Sequence, residues 1–206
     1  NSKIEGIEET DLIILIGANP RYEATILNSR IRKAQINNNI DIFSIGEVGD
    51  LTYPYSLLDN STKTINDIVN NTHKLSEKIN KSQKPMFIIG QSIFKLNSAS
   101  YIFEELKKYL TANNKINKDW NALNILSNNA STVGSYDLEI LSSKNEKNIT
   151  LERIKNNEID VIFLFGQENL KFNKKNEYII YVGSHGDRGA NMADIILPGA
   201  AYTEQD

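Results

Sequence analysis

The stretch Asp11-Leu12-Ile13-Ile14-Leu15-Ile16-Gly17-Ala18-Asn19-Pro20 decides the fold. Its five apolar residues have no polar alternation, the pattern of a strand buried on both faces of a parallel sheet. Gly17-Ala18 ends the strand. Asn19 fits an N-cap, and Pro20 fits the first helical position, where its missing N–H costs nothing. The helix that follows carries Ala24, Leu27, Ile31 and Ala34 on one stripe, and Asn37-Asn38-Asn39 breaks it. Residues 40–45 then read as a second strand. The opening is thus a βαβ unit with a right-handed crossover.

Working outward, the same grammar recurs. Residues 47–60 form a long loop bearing Gly, Pro and Tyr, and 62–81 read as a helix with Ile65, Ile68, Val69, Leu75 and Ile79 on one face. A third strand at 85–90 is followed by a helix at 98–110 and a weaker strand at 123–126. Residues 127–143 have no clean period and read mostly as loop. The pattern then restarts, with a short helix around Leu151 and Ile154 and strands at 160–166, 177–182 and 193–199. Strands alternating with helices define an α/β class: doubly wound, mostly parallel sheets with helices on both faces. Two "acid, apolar run, glycine" strands, 11–17 and 160–166, hint at two sub-halves, 1–115 and 116–206.

Composition bounds the function. A chain of 206 residues buries enough surface to fold without a disulfide or a metal. Its net charge of −3 lacks the basic excess of a nucleic-acid surface. The absence of cysteine excludes disulfides, thiolate nucleophiles and Cys-ligated iron–sulfur or zinc centres within these residues. His73 and His185 stand far apart and offer no ligand spacing. The longest apolar runs, 12–16 and 161–165, are strand-sized, far below the ~20 residues of a membrane helix. The polar start resembles no signal peptide. Without an initiator Met, and with an abrupt end, the chain reads as an internal segment of a larger subunit.

Several residues invite a chemical reading. Gly17-Ala18-Asn19-Pro20 lies between a strand and a helix N-terminus, at the carboxyl edge where α/β sheets hold ligands and phosphate is favoured. The plainer reading, a tight turn with a cap, outweighs it, since neither G-x-G-x-x-G nor G-x-x-x-x-G-K-[ST] occurs. Arg30, Arg32 and Lys33 read as a solvated basic face. Arg21, in the first turn, stays open between an anion contact and that face. Ser184, His185 and Asp187 in Gly183-Ser-His-Gly-Asp-Arg-Gly189 evoke a hydrolase, but triad residues converge from separate segments and no G-x-S-x-G elbow exists. The glycines point instead to a loop that approaches something closely. His185 as a proton carrier is the minority alternative. Asp194, before an apolar run, is either a ligand contact or a hydrogen-bonding acid at a strand start. Tyr22, Tyr53, Tyr55, Tyr136 and Tyr202 read as core rims or interface anchors, and Trp120 as packing.

Three ordered stretches carry a family resemblance. They are Asp11-Leu-Ile-Ile-Leu-Ile-Gly-Ala-Asn-Pro-Arg21-Tyr-Glu-Ala24, Ile45-Gly-Glu-Val-Gly-Asp-Leu-Thr-Tyr53, and His185-Gly-Asp-Arg-Gly-Ala-Asn-Met-Ala-Asp194 with the residues through Glu204. Trp120-Asn121 and Val133-Gly134-Ser135-Tyr136-Asp137-Leu138 add to them. The chain resembles the large, 75 kDa-type iron–sulfur subunit of NADH:quinone oxidoreductase (complex I) and, more widely, the molybdopterin oxidoreductases. The resemblance covers essentially the whole chain. It implies electron transfer from NADH toward quinone, with 2Fe–2S and 4Fe–4S clusters held by cysteines in an N-terminal part that precedes these residues. It implies no cofactor, metal or catalytic residue in this segment, which becomes a scaffold. Its partners would be the other peripheral-arm subunits, with no nucleic acid and no direct membrane insertion. Its place would be peripheral, on the cytoplasmic or matrix face of the inner membrane. Active members of the superfamily hold a pterin guanine dinucleotide at these strand ends, aided by an Asp-Pro-Arg type turn. Here that place reads Gly46-Glu47-Val48-Gly49-Asp50, so Gly17, Asn19, Pro20 and Asp194 become vestigial candidates. The alternative is a working dinucleotide-binding domain of a formate-dehydrogenase-like oxidoreductase, and a generic nucleotide-binding domain stands third.

Overall fold

The computed structural model describes residues 2–127, 129, 131–139, 144–167, 172–186 and 188–204, with the backbone alone for 144–149. They form two compact units, 1–132 and 133–206. The stretch 116–132 thus belongs with the first unit, because its strand joins that unit's sheet.

In the first unit a 3-10 turn (Ile4–Glu9) precedes β1 (Leu12–Ile16), α1 (Pro20–Glu23), α2 (Thr25–Asn38) and β2 (Asp41–Ile45). Then come β3 (Ser56–Asp59), α3 (Lys63–Val69), α4 (Lys74–Lys81), β4 (Pro85–Gly90), α5 (Ala99–Ala112) and β5 (Leu123–Leu126). The sheet is parallel, in the order β3-β2-β1-β4-β5. The chain winds outward from β1 to β3, then returns to the other side of β1. Right-handed crossovers therefore place α2 on one face and α3 to α5 on the other. Every residue of β1 and β4 is buried, as central strands of a doubly wound sheet must be.

The amino ends of the central strands are fixed by an acid. Asp11 accepts hydrogen bonds from the Ser82 hydroxyl and from the Gln83 and Lys84 backbone N–H groups, locking β1 against β4. Trp120 is buried, and its indole N–H donates to the Pro85 carbonyl at 2.7 Å. The two expected long helices are each broken in two. Ala24 leaves the helical conformation between α1 and α2. Residues 70–73 separate α3 from α4, where Asn71 is left-handed and His73 caps α4 by accepting from the Leu75 N–H.

In the second unit, α6 (Thr132–Asp137) and α7 (Lys144–Lys155) precede β6 (Val161–Phe165), β7 (Tyr178–Gly183), α8 (Arg188–Met192) and β8 (Ile195–Pro198). The three strands are parallel, in the order β6-β7-β8. Ile154, Leu164, Phe172, Ile179, Tyr181 and Ala190 form its core. The two glycine-terminated strands behave alike. Gly17 and Gly166 both have φ near +55°. Gly17 N–H donates to Ile45 O at the end of β2, and Gly166 N–H donates to Val182 O near the end of β7. No helix among the described residues is long and apolar enough to cross a membrane.

Candidate functional site

The sheet order of the first unit reverses between β1 and β4, and such a switch point opens a crevice beyond the carboxyl ends of the strands. Gly17-Ala18 and the short helix α1 sit on one side of it. Here the two strand ends pack directly on each other. The Ser92 hydroxyl donates to Gly17 O at 2.5 Å. A Cβ on Gly17 would meet that hydroxyl at 2.5 Å and the Ile93 side chain at 3.0 Å. Gly90, the last residue of β4, lies closer still: a Cβ there would stand 2.1 Å from Gly17 O and 2.7 Å from Ala18 Cα. Backbone rests on backbone there.

The polar groups of the turn are committed inward. The Asn19 side chain accepts from the Tyr22 N–H and donates to Val48 O. The Asn19 N–H donates to Glu23 Oε1 at 3.2 Å, while Glu23 Oε2 is buried with no hydrogen-bond partner. A carboxylate thus occupies the positive end of α1. Arg21 pairs with the carboxylate of Asp50 and donates to its carbonyl. The Thr52 N–H, and then Arg21, hold the Asp50 carboxyl below its usual range. Arg30 and Lys33 both pair with Glu8, whose carboxyl is lowered chiefly by Lys33. Arg30 and Lys33 are therefore spent on this chain's own Glu8, and Arg21 has its anion in Asp50.

These contacts fasten the loop 46–55 over α1 and α2. Its residues Val48, Leu51 and Tyr53 are buried. Asn28, buried on α2, donates to Leu51 O at 3.0 Å and accepts from the Tyr53 hydroxyl at 2.9 Å. Burial pushes the Tyr53 phenol well above its ordinary range, so it remains a donor at every physiological pH.

In the second unit, the Asp194 carboxylate accepts from the Ile179 N–H at 2.8 Å and from Lys174 at 2.5 Å. The Asp194 N–H returns a bond to Ile179 O. It sits at the amino end of β8, opposite the carboxyl edge where ligands lie, and does for β7 and β8 what Asp11 does for β1 and β4. The Ile179 N–H, and then Lys174, lower its carboxyl. The carboxylate's contribution is present above the unfolded value, near ~4, and is lost as pH falls through the lower folded value. Asp194→Asn is therefore expected to unfold more readily than the parent at pH 7. The gap should narrow as pH falls from 7 through the lowered folded value, where the parent acid also protonates. Denaturant midpoints across that range check it, and a gap independent of pH would refute the ion's role.

Ser184 Oγ lies 2.9 Å from His185 Nδ1, while Asp187 lies outside the described residues. The close approach expected of the glycine loop is to Tyr181. Its hydroxyl donates to His185 O, and its ring fills the space that side chains at Gly183 and Gly189 would occupy. Of the tyrosines, Tyr53 is buried, whereas Tyr22, Tyr136 and Tyr202 are exposed. No group of three or more His, Asp or Glu among the described residues could hold a metal. Ser92, Gly90 and Asn28 were not singled out by the sequence reading.

A family model for molybdopterin oxidoreductases matches residues 1–206. The chain belongs to the molybdopterin oxidoreductase family. It is 40% identical over 208 residues to the NADH-ubiquinone oxidoreductase 75 kDa subunit of Reclinomonas americana, covering all of this chain and 30% of that protein. It is 37% identical to an NADH-quinone oxidoreductase subunit of Rickettsia bellii, covering 29% of it. It is 34% identical to the mitochondrial NADH-ubiquinone oxidoreductase 78 kDa subunit of Neurospora crassa, covering 27%. The chain thus spans under a third of the length of the curated relatives it matches.

The family name implies a pterin dinucleotide, and the first unit's switch point does not fit one. Ser92 already bonds the Gly17 carbonyl, and the Glu23 side chain already accepts the Asn19 N–H that a phosphate would use. The orphaned Glu23 oxygen is an acceptor, which lacks a donor rather than a phosphate.

Proposed function

We propose that this chain is a segment of the large iron–sulfur subunit of an NADH:quinone oxidoreductase, and that the segment itself is a scaffold without catalytic residues. The subunit would carry electrons from NADH toward quinone through 2Fe–2S and 4Fe–4S clusters elsewhere in its polypeptide. Its partners are other subunits of a peripheral arm, on the cytoplasmic or matrix face of the inner membrane. The names and full-chain coverage of the relatives support the assembly. The observation that carries the scaffold reading is the turn after β1, whose polar groups are already committed within the chain. Gly90 backs directly onto Gly17, and Ser92 bonds its carbonyl. In this reading Gly17, Asn19 and Pro20 persist for turn geometry, and Asp194 for strand pairing, after the nucleotide was lost.

Two measurements test the two halves. Affinity purification of the full-length polypeptide is expected to bring down an NADH-oxidising assembly with several other subunits; recovery of the polypeptide alone would remove the complex I reading. Calorimetry with guanine nucleotide, and metal analysis of the same preparation, are expected to find no binding and no molybdenum. Stoichiometric molybdenum or a nucleotide heat removed by Gly17→Val would favour the formate-dehydrogenase-like alternative instead.

A further inference from the structure

The three strands of the second sheet wind in one direction only. β6 leads to β7 and β7 to β8, each laid beside the last. Right-handed crossovers put both connections on the same face. That face holds Leu164, Ile179 and Tyr181 against Phe172 and Ala190. The register turns Val161, Phe163 and Phe165 to the other side, in line with Tyr178 and Ile180, and the row ends at Leu197 on β8. Phe163 is 55% exposed and Phe165 73%, and their rings stack at 6.2 Å between centroids. Parallel sheets occur almost only with both faces covered, and an apolar patch of this kind marks a contact surface.

The first unit shows how such a face becomes covered. Its chain also winds outward, from β1 to β3. It then returns to add β4 and β5 along the free edge of β1, and that return carries α3 to α5 onto the face α2 leaves open. The second unit contains only the outward half of that course. Its relatives have the length for the other half, since this chain covers only 27% to 30% of them.

We infer that the bare face is covered by a further α/β stretch of the same polypeptide. Its strands add to the free edge of β6, and its helices pack on Phe163 and Phe165. The inference rests on the reading that these residues are a segment of a longer subunit. A parallel strand added to β6 must be followed or preceded by a crossover, and the right-handed one lands on this face.

The test uses introduced thiols read on their own peptides, where no other thiol interferes because these 206 residues contain no cysteine. Phe163→Cys and Phe165→Cys are made separately in the full-length subunit, with Tyr22→Cys, at a site 79% exposed, as the control. Maleimide labelling is read peptide by peptide, with amide exchange of β6 in the unmodified protein as a second readout. In the monomeric full-length subunit, positions 163 and 165 are expected to label at least ~10-fold more slowly than position 22, and the β6 amides to be protected. In the 206-residue chain the three positions should label alike. Protection that appears only in the assembled complex would assign the face to a partner subunit. Protection that grows with concentration would assign it to a second copy, and protection already present in the 206-residue chain to the first unit. Each of these overturns the inference, as does rapid labelling throughout. The longer-subunit reading fails separately, if the mature polypeptide has the 23.3 kDa mass of these residues alone.

Discussion

Gly90→Ala is expected to cost the chain at least about 3 kcal/mol, enough to lower its melting temperature by roughly 10 °C. The cause is space, not conformation: Gly90 is absent from the glycines with positive φ, so its backbone suits any L-residue. A methyl there meets Gly17 O at 2.1 Å and Ala18 Cα at 2.7 Å, both backbone atoms at the junction between β1 and β4. No rotamer change relieves such a contact, so the two central strands must part at their carboxyl ends. Gly17→Ala differs in kind. It forces Ala into a left-handed conformation, a penalty of about 1–2 kcal/mol, but its nearest clash is with the Ser92 hydroxyl, which can rotate. Gly134→Ala, in a helix with open space around it, serves as the neutral control. Removing the hydroxyl with Ser92→Ala should rescue part of the Gly17→Ala loss and none of the Gly90→Ala loss. Thermal unfolding of the four single variants, and of Ser92→Ala combined with Gly17→Ala and with Gly90→Ala, decides it. A Gly90→Ala protein that melts with the parent would mean that the crevice has room after all.

Much of the fold was legible because buried parallel strands announce themselves. The runs at β1, β4, β6 and β7 are apolar on consecutive residues, and the glycine after β1 and β6 marks the same hydrogen-bonded turn in both units. What the pattern missed was set by tertiary contacts. Ala24 is a strong helix former, yet it is non-helical, because Asn19 and Arg21 on one side and Asn28 on the other are each bound to the loop 46–55. Strand β3 hid in the expected 47–60 loop, since Ser56–Asp59 is a four-residue edge strand with two apolar residues. The break at Asn70-Asn71 was legible in principle, as two Asn residues in a helix-length run are a turn signal. The helix α6 lay in a stretch without period, and its residues bury no apolar side chain that would have produced one.

The candidate site was half legible. Gly17, Asn19 and Pro20 were read as a tight turn with a capped helix start, which the structure has, and it adds that Gly17 is left-handed. Their ligand-facing side was not readable, because it depends on what comes back along the other edge of β1. The signal was present in Gly90-Gln91-Ser92, a second glycine-terminated strand end, but only strand order reveals that it abuts the first. Arg21 could not be assigned from sequence for the same reason: its partner, Asp50, is 29 residues away. Asn28 left a clearer trace. It falls within the apolar stripe that Ala24, Leu27 and Ile31 define, and a polar residue on such a stripe is bonded or costly.

Asn28→Ala is expected to destabilise the chain by about 2–4 kcal/mol, the second large effect, because it strands two buried partners at once. Leu51 O loses its donor, and the Tyr53 hydroxyl loses its acceptor. Both groups lie where water has little access, since Leu51 is fully buried and Tyr53 nearly so. Tyr53→Phe should cost less, about 1 kcal/mol, since it removes its own unpaired group and leaves the Asn28–Leu51 bond intact. The double variant should be less destabilised than the sum of the two by roughly 1 kcal/mol, the coupling expected of a shared hydrogen bond. The consequence reaches beyond stability. Asn28 is the buried anchor of the loop that lies across α1 and α2, and Arg21–Asp50 is its exposed one. An exposed ion pair contributes little, so Asp50→Asn should leave the loop in place. Asn28→Ala should instead release it, seen as faster amide exchange through residues 47–53 at denaturant concentrations that leave the strands protected. Equal exchange in the two variants would mean that the apolar contacts of Val48 and Leu51 hold the loop without the buried amide.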